Sequence, residues 1–96
     1  MDTICTNARF QLGRLLLTPG ALHALEESEQ SAFEFLSRHV RGDWGDLTEA
    51  DKQENELSVQ RGYRLLSAYH TNGGTKLWVI TEADRSATTL LLPDEY

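Results

Sequence analysis

Apolar and polar residues alternate along the second half of the chain. Leu65, Ser67 and Tyr69 alternate with Leu66, Ala68 and His70, and Leu77, Val79 and Thr81 alternate with Trp78, Ile80 and Glu82. A period of two predicts strands. Between them, Asn72-Gly73 predicts a tight hairpin turn, because both residues tolerate positive φ. A third strand is expected over residues 88–92, ended by Pro93, which has no N–H to give a ladder. Both faces of these strands carry apolar groups, so the sheet should pack helices on one side and be partly covered on the other.

The first half reads differently. Residues 9–17 are rich in leucine and predict a strand. Thr18-Pro19-Gly20 then opens a helix, with Thr18 as cap and Pro19 at the first helical position. That helix should stop near Ser28. A second helix is expected over residues 29–40, where Phe33, Leu36 and Val40 fall on one face of a 3.6-residue period and Phe35 and His39 form an i, i+4 pair. Gly42-Asp43-Trp44-Gly45-Asp46 breaks the pattern. Thr48 with Asp51 resembles a capping box. The helix it opens ends at Arg61-Gly62, where the glycine suits a left-handed cap. Ala50, Leu57 and Val59 are its few apolar residues, so one thin stripe should face inward. The expected fold is α+β: three helices packed on a mainly antiparallel sheet of three to four strands. Residues 1–8 read as a flexible N-terminal arm and 9–96 as a single domain. Leu22, Leu25, Phe33, Leu36, Leu57, Leu66, Ile80 and Leu91 are the expected core.

A chain of 96 residues suits one domain with one modest core. A single cysteine, Cys5, rules out an intramolecular disulfide. The N-terminus lacks the basic and apolar regions of a signal peptide, and the longest leucine runs are far too short to span a bilayer. A cytoplasmic protein with no membrane role is therefore expected. The net charge of −6 is unevenly placed. Residues 26–56 hold ten acids against three bases, a balance of −7, so this segment repels nucleic acid and anionic membranes.

Two segments offer candidate chemistry. Around Trp44, Asp43 and Asp46 flank an aromatic plane with glycines on both sides. The alternative reading is a helix-to-helix loop whose Trp plugs the core. Around Arg85, Glu82 and several hydroxyls surround one turn, and a guanidinium there can bind phosphate bidentately. The alternative is a surface turn with a local ion pair worth little. His39, Asp43 and Asp46 have weak metal spacing, and no HExxH or CxxC pattern exists, so neither a metal nor a cofactor is expected. Phosphate loops and nucleophile elbows are likewise missing.

The stretches Gly42-Asp43-Trp44-Gly45, Leu66-Ser67-Ala68-Tyr69, Trp78-Val79-Ile80-Thr81-Glu82-Ala83-Asp84-Arg85-Ser86 and Leu91-Leu92-Pro93-Asp94-Glu95-Tyr96 resemble a small uncharacterised bacterial family common on plasmids and prophages. The resemblance covers roughly residues 35–96 and implies a bacterial, mobile-element origin rather than a mechanism. The order of elements is also loosely similar to the barnase–colicin–RelE class of small nucleases, although this chain is acidic.

Two functions follow as expectations. The first is an accessory protein that binds a macromolecular partner, a basic or nucleic-acid-binding protein, as an anti-defence inhibitor would. Its surface would comprise Asp43, Trp44, Asp46, Glu49, Glu54 and Glu56. The second is a metal-independent ribonuclease acting on RNA, with Glu82 or His39 as base, His70 as acid and Arg85 as the cation for developing phosphorane charge. Sequence leaves the oligomeric state open.

Overall fold

A computed structural model describes residues 7–96. The elements run β1 (Arg14–Leu17), α1 (Pro19–Ser28), α2 (Ala32–Val40), α3 (Glu49–Arg61), β2 (Leu65–His70), β3 (Lys76–Thr81) and β4 (Ala87–Leu91), with a 3-10 turn at Pro93–Glu95. The class is α+β. The four strands lie in the order β1-β4-β3-β2. The sheet is mixed rather than mainly antiparallel: β2–β3 and β3–β4 are antiparallel, but β1 runs parallel to β4, with Arg14 opposite Ala87 and Leu17 opposite Leu90. A parallel pair needs a long crossover, and here it consists of everything between the first strand and the last.

The first strand is shorter than expected. Gly13 sits at φ +67, and a Cβ there would lie 2.4 Å from the Ser86 backbone. The chain turns at this glycine, so residues 9–12 do not extend the strand. Arg9 N–H instead donates to the Val40 carbonyl. Most of the expected N-terminal arm lies outside the described residues. Asn7 and Ala8, which are described, are exposed.

Local signals set the helix ends. Thr18 Oγ1 accepts from Ala21 N–H, Ser31 Oγ from Phe33 N–H and Thr48 Oγ1 from Asp51 N–H. Glu29, at φ 56, closes α1, so α2 begins at Ala32 and not at residue 29. Gly62 closes α3 at φ 76. The hairpin turn also differs from expectation. Asn72 keeps a negative φ, and Gly74 takes the left-handed position at φ +88 while its N–H donates to the Thr71 carbonyl.

One sheet face carries the main core. Leu65 and Tyr69 of β2, Leu77 and Val79 of β3, and Leu90 of β4 are buried, with Ala21, Ala24 and Leu25 of α1 and Phe35 and Leu36 of α2. The molecule measures 36 × 34 × 19 Å, thin enough to hold one helical layer over one sheet. On the opposite face Ala68, Ile80 and Leu91 are buried, and Tyr96 lies edge-on to Trp78.

Of the expected core, Leu25, Leu36, Ile80 and Leu91 are buried and Leu66 is half-buried. Leu22, Phe33 and Leu57 are exposed. In α2 the inward stripe is Phe35, Leu36, His39 and Val40, and Phe33 lies about 200° round the helix from Phe35. In α3 the inward residues are the polar Asn55 and Ser58, not Leu57.

The two sheet edges are treated differently. The Asn55 amide donates to the Leu66 carbonyl at 2.7 Å and accepts from Leu66 N–H at 3.2 Å. Two residues on, Ala68 N–H donates to the Trp44 carbonyl and the Ala68 carbonyl accepts from Asp46 N–H. The outer edge of β2 is thereby closed by α3 and by the Trp44 segment. Gly45 makes this approach feasible: it holds φ +76, and a Cβ there would lie 2.0 Å from the Ala68 carbonyl oxygen. The outer edge of β1 has no such cover among the described residues.

Candidate functional site

Three inward-facing hydroxyls lie on the core side of the sheet: Ser67 on β2, Thr81 on β3 and Thr88 on β4, all fully buried. His39 projects from α2 into the middle of them. Its Nδ1 is 2.6 Å from Ser67 Oγ and its Nε2 2.9 Å from Thr81 Oγ1. Thr81 Oγ1 is 2.7 Å from Thr88 Oγ1, and Thr88 donates to the Leu12 carbonyl at 2.7 Å.

The last acceptor fixes the direction of the chain as far as His39 Nε2, and neutrality of the ring fixes the remaining bond. Thr88 spends its proton on a carbonyl, so it accepts from Thr81. Thr81 then accepts from His39 Nε2–H, and His39 Nδ1 accepts from Ser67. Each hydroxyl has one proton, and each is used once. This arrangement suits a neutral imidazole, and burial of the ring enforces that state. Burial, aided by the nearby Arg85 charge, pushes its pKa down to about 3. A ring held so deeply, with both nitrogens occupied, neither takes a proton from a substrate nor binds a metal. Its expected role as a general base is corrected on that ground. Phe10 and Trp44 meet the ring edge-on and complete its wall.

Arg85 is also corrected. It occupies φ 62 at the turn between β3 and β4. Nη1 donates to the carbonyls of Tyr63, Glu82 and Ala83 at 2.7, 3.2 and 3.2 Å, and Nη2 donates to the Ser58 carbonyl at 2.9 Å. The guanidinium ties the β3–β4 turn to the end of α3 and lies over the Phe10 ring. Its donors point at backbone rather than at solvent phosphate.

His70 and Glu82 are exposed, but at opposite ends of the sheet. His70 is opposite Lys76, whereas Glu82 follows Thr81, which is opposite Leu65. Five residues of strand, about 17 Å, separate those ends. His70 Nδ1 lies 2.8 Å from Asp46 Oδ2. The four residues named for a ribonuclease are thus not brought to one place.

The Trp44 surface is corrected as well. Trp44 is 3% exposed and plugs the core beside His39 and Phe10. Its indole N–H donates to Glu56 at 3.0 Å, and Arg9 grips the same carboxylate through two hydrogen bonds of 2.7 and 2.9 Å. Hydrogen bonds from Arg9 and then Trp44 lower the Glu56 pKa to about 2. Asp43 is held by Arg38 at 2.7 Å, which depresses its pKa too. Trp44 is therefore an internal plug, while Asp43 and Glu56 are held at the surface by Arg38 and Arg9. Glu49, which reaches Lys52 only at 3.8 Å, Asp51 and Glu54 are exposed on α3, and Asp46 is exposed beside His70.

Asp51 and Glu54 also line a groove of about 240 Å³ between α3 and β2, whose other walls are Leu47, Asn55 and Leu66. Nothing in the sequence marks this site. Leu47 and Leu66 gave no polar signal, and the inward turn of Asn55 is set by its bonds to the β2 backbone. The buried hydroxyls were more accessible to foresight, since strict alternation already places Ser67, Thr81 and Thr88 among apolar neighbours on one face.

Among the described residues, no three His, Cys, Asp or Glu side chains converge as a metal site, and no helix is long and apolar enough to cross a membrane. No known family model, curated protein or solved structure matches this chain.

Proposed function

We infer that this protein works by binding a basic protein partner through α3 and the groove beside it, rather than by catalysis. One observation supports the reading above the others. The groove pairs an apolar floor, Leu47 and Leu66, with two carboxylates, Asp51 and Glu54. A lysine or arginine side chain has the matching form, an aliphatic stem with a cationic head. At about 240 Å³ the groove suits one such side chain better than a drug-sized ligand. The surrounding charge favours the same partner, because acids concentrated on residues 26–56 speed encounter with a basic surface. Blocking a nucleic-acid-binding surface, the anti-defence type of inhibition, is one use of such a protein.

Asn55 gives the groove a fixed wall, since its amide is held on both sides by Leu66. The partner surface is narrower than the sequence implied and consists of Glu49, Asp51 and Glu54. The test is a titration of labelled protein with an arginine- and lysine-rich peptide, followed by amide chemical shifts. Shifts should concentrate at Leu47, Asp51, Glu54 and Leu66. They should weaken with salt and vanish in the Asp51→Lys, Glu54→Lys double variant. Shifts spread evenly over every acidic side chain, or unchanged in that variant, would refute the groove as the site.

A further inference from the structure

We propose that two copies of this chain associate through the edge of β1 that no described residue covers, joining their sheets into one continuous eight-stranded sheet. The backbone geometry comes first. Arg14 N–H donates to the Ser86 carbonyl and Thr18 N–H to the Leu90 carbonyl. In a parallel ladder, alternate residues face the neighbour, so residues 14, 16 and 18 turn their backbone groups toward β4. The N–H and C=O groups of Leu15 and Leu17 therefore point outward, away from the sheet. Among the described residues nothing pairs with them. An edge of this kind is a template for another strand.

The opposite edge shows what a closed one looks like. On β2, Asn55 and the Trp44 segment take up the outward groups of Leu66 and Ala68. β1 is short, at four residues, and carries one charge, Arg14, but no described residue lies across its outer edge. It has no proline, bulge or lysine, and its three leucines are each 38–39% exposed.

The occupant is identified by register. An antiparallel copy related by a twofold axis at Leu16 places Leu15 opposite the second copy's Leu17, and Leu17 opposite its Leu15. Those are the residues with outward backbone groups, so four hydrogen bonds form with none left over. Leu16 meets its own counterpart across the axis as a non-hydrogen-bonded pair. Arg14 faces Thr18 of the other copy, not another arginine. On the core side of the sheet Leu15 and Leu17 would extend the row formed by Thr88 and Leu90.

Electrostatics permits the pairing. Two chains of charge −6 repel, but the acidic α3 packs on β2, at the far side of the sheet from β1. Association through β1 puts the two α3 helices at opposite ends of the assembly. The contact is smaller than a standard interface, so dimerisation should be weak, with Kd roughly micromolar to millimolar.

The test combines sedimentation with cross-linking. The full chain should shift from monomer to dimer as concentration rises. Leu16→Lys, which opposes like charges across the axis, should raise Kd about tenfold or more while leaving the circular dichroism unchanged. In a Cys5→Ser background, Leu16→Cys should oxidise to a covalent dimer, because Cα atoms of a non-hydrogen-bonded pair lie about 4.5 Å apart, within disulfide range. Leu15→Cys and Leu17→Cys should cross-link when mixed, but neither with itself. A monomer at every concentration would overturn the proposal. So would a dimer indifferent to Leu16→Lys, a cross-linking pattern without this register, or a monomer that instead captures an unrelated strand peptide.

Discussion

Acidification should destabilise this protein through His39 before its carboxylates matter. In the folded state the imidazole is neutral, with a pKa of about 3. In the unfolded chain it returns to about 6.5. Between those values the unfolded state binds a proton that the folded state refuses, so stability falls as pH falls. The stabilising contribution is complete above about pH 6.5 and is lost progressively toward pH 3. Each unit within that window costs about 1.4 kcal/mol, so the loss at pH 5 is about 2 kcal/mol. For a domain holding about 5–15 kcal/mol in total, that is a large fraction. The carboxylates with depressed pKa values, Asp43 and Glu56 among them, add to the loss mainly below about pH 4.5. The interval from 4.5 to 6.5 therefore isolates His39. The assay is urea unfolding at half-unit pH steps, in a background where the exposed His23 and His70 are replaced by glutamine. Unfolding free energy should decline along the predicted slope, and His39→Gln should flatten it whatever its baseline stability. A flat profile with His39 intact would mean that the ring is not held neutral in the core, and the directed chain from Ser67 to Leu12 would be wrong.

Three other outcomes follow from the packing. Arg85→Ala should lower stability by about 2–4 kcal/mol, since charge-assisted hydrogen bonds to four carbonyls are lost, and Arg85→Lys should recover little of it because one ammonium lacks the fork; unchanged thermal unfolding would show that the tether is idle. Leu36→Ala should cost about 2–5 kcal/mol, while Phe33→Ala and Leu57→Ala should stay within about 0.5–1 kcal/mol; chemical denaturation ranks them, and a reversed order would contradict the helix orientations. Asn55→Ala should cost about 1–3 kcal/mol by orphaning both polar groups of Leu66, and hydrogen exchange at the Leu66 amide should accelerate; continued protection there would place the edge closure elsewhere.

Local chemistry was legible in the sequence where it acts alone. Thr18, Thr48 and Gly62 cap their helices because a cap depends on neighbours within a few residues. Period-two alternation placed β2 and β3 for the same reason. What escaped were choices made between distant segments. Nothing near Arg14 announces that it will run parallel to a strand beginning at Ala87. Phe33 and Phe35 are equally apolar, and only the sheet decides which faces inward. The hardest cases were the ionisable groups. Arg85 and His39 have the side chains of a nuclease site, but their decisive partners, the Ser58 and Tyr63 carbonyls and the Ser67 and Thr81 hydroxyls, lie more than twenty residues away. Trp44 is similar: its glycine-flanked setting fits an exposed anchor as well as a core plug, and only the approach of Gly45 to β2 decides for the plug.

The pairing of β1 with β4 also orders events in time. Thr18 N–H waits for the Leu90 carbonyl, 72 residues later, and Gly20 N–H at the start of α1 waits for Glu95, 75 residues on. Translation proceeds at about 5–20 residues per second, so the nascent first strand spends several seconds without β4. Contacts between such distant segments form slowly even in the released chain. The β2–β3–β4 meander, by contrast, needs only adjacent strands. It is the natural template onto which the early segments dock last, and until then three consecutive leucines stay open to chaperones and to other nascent chains.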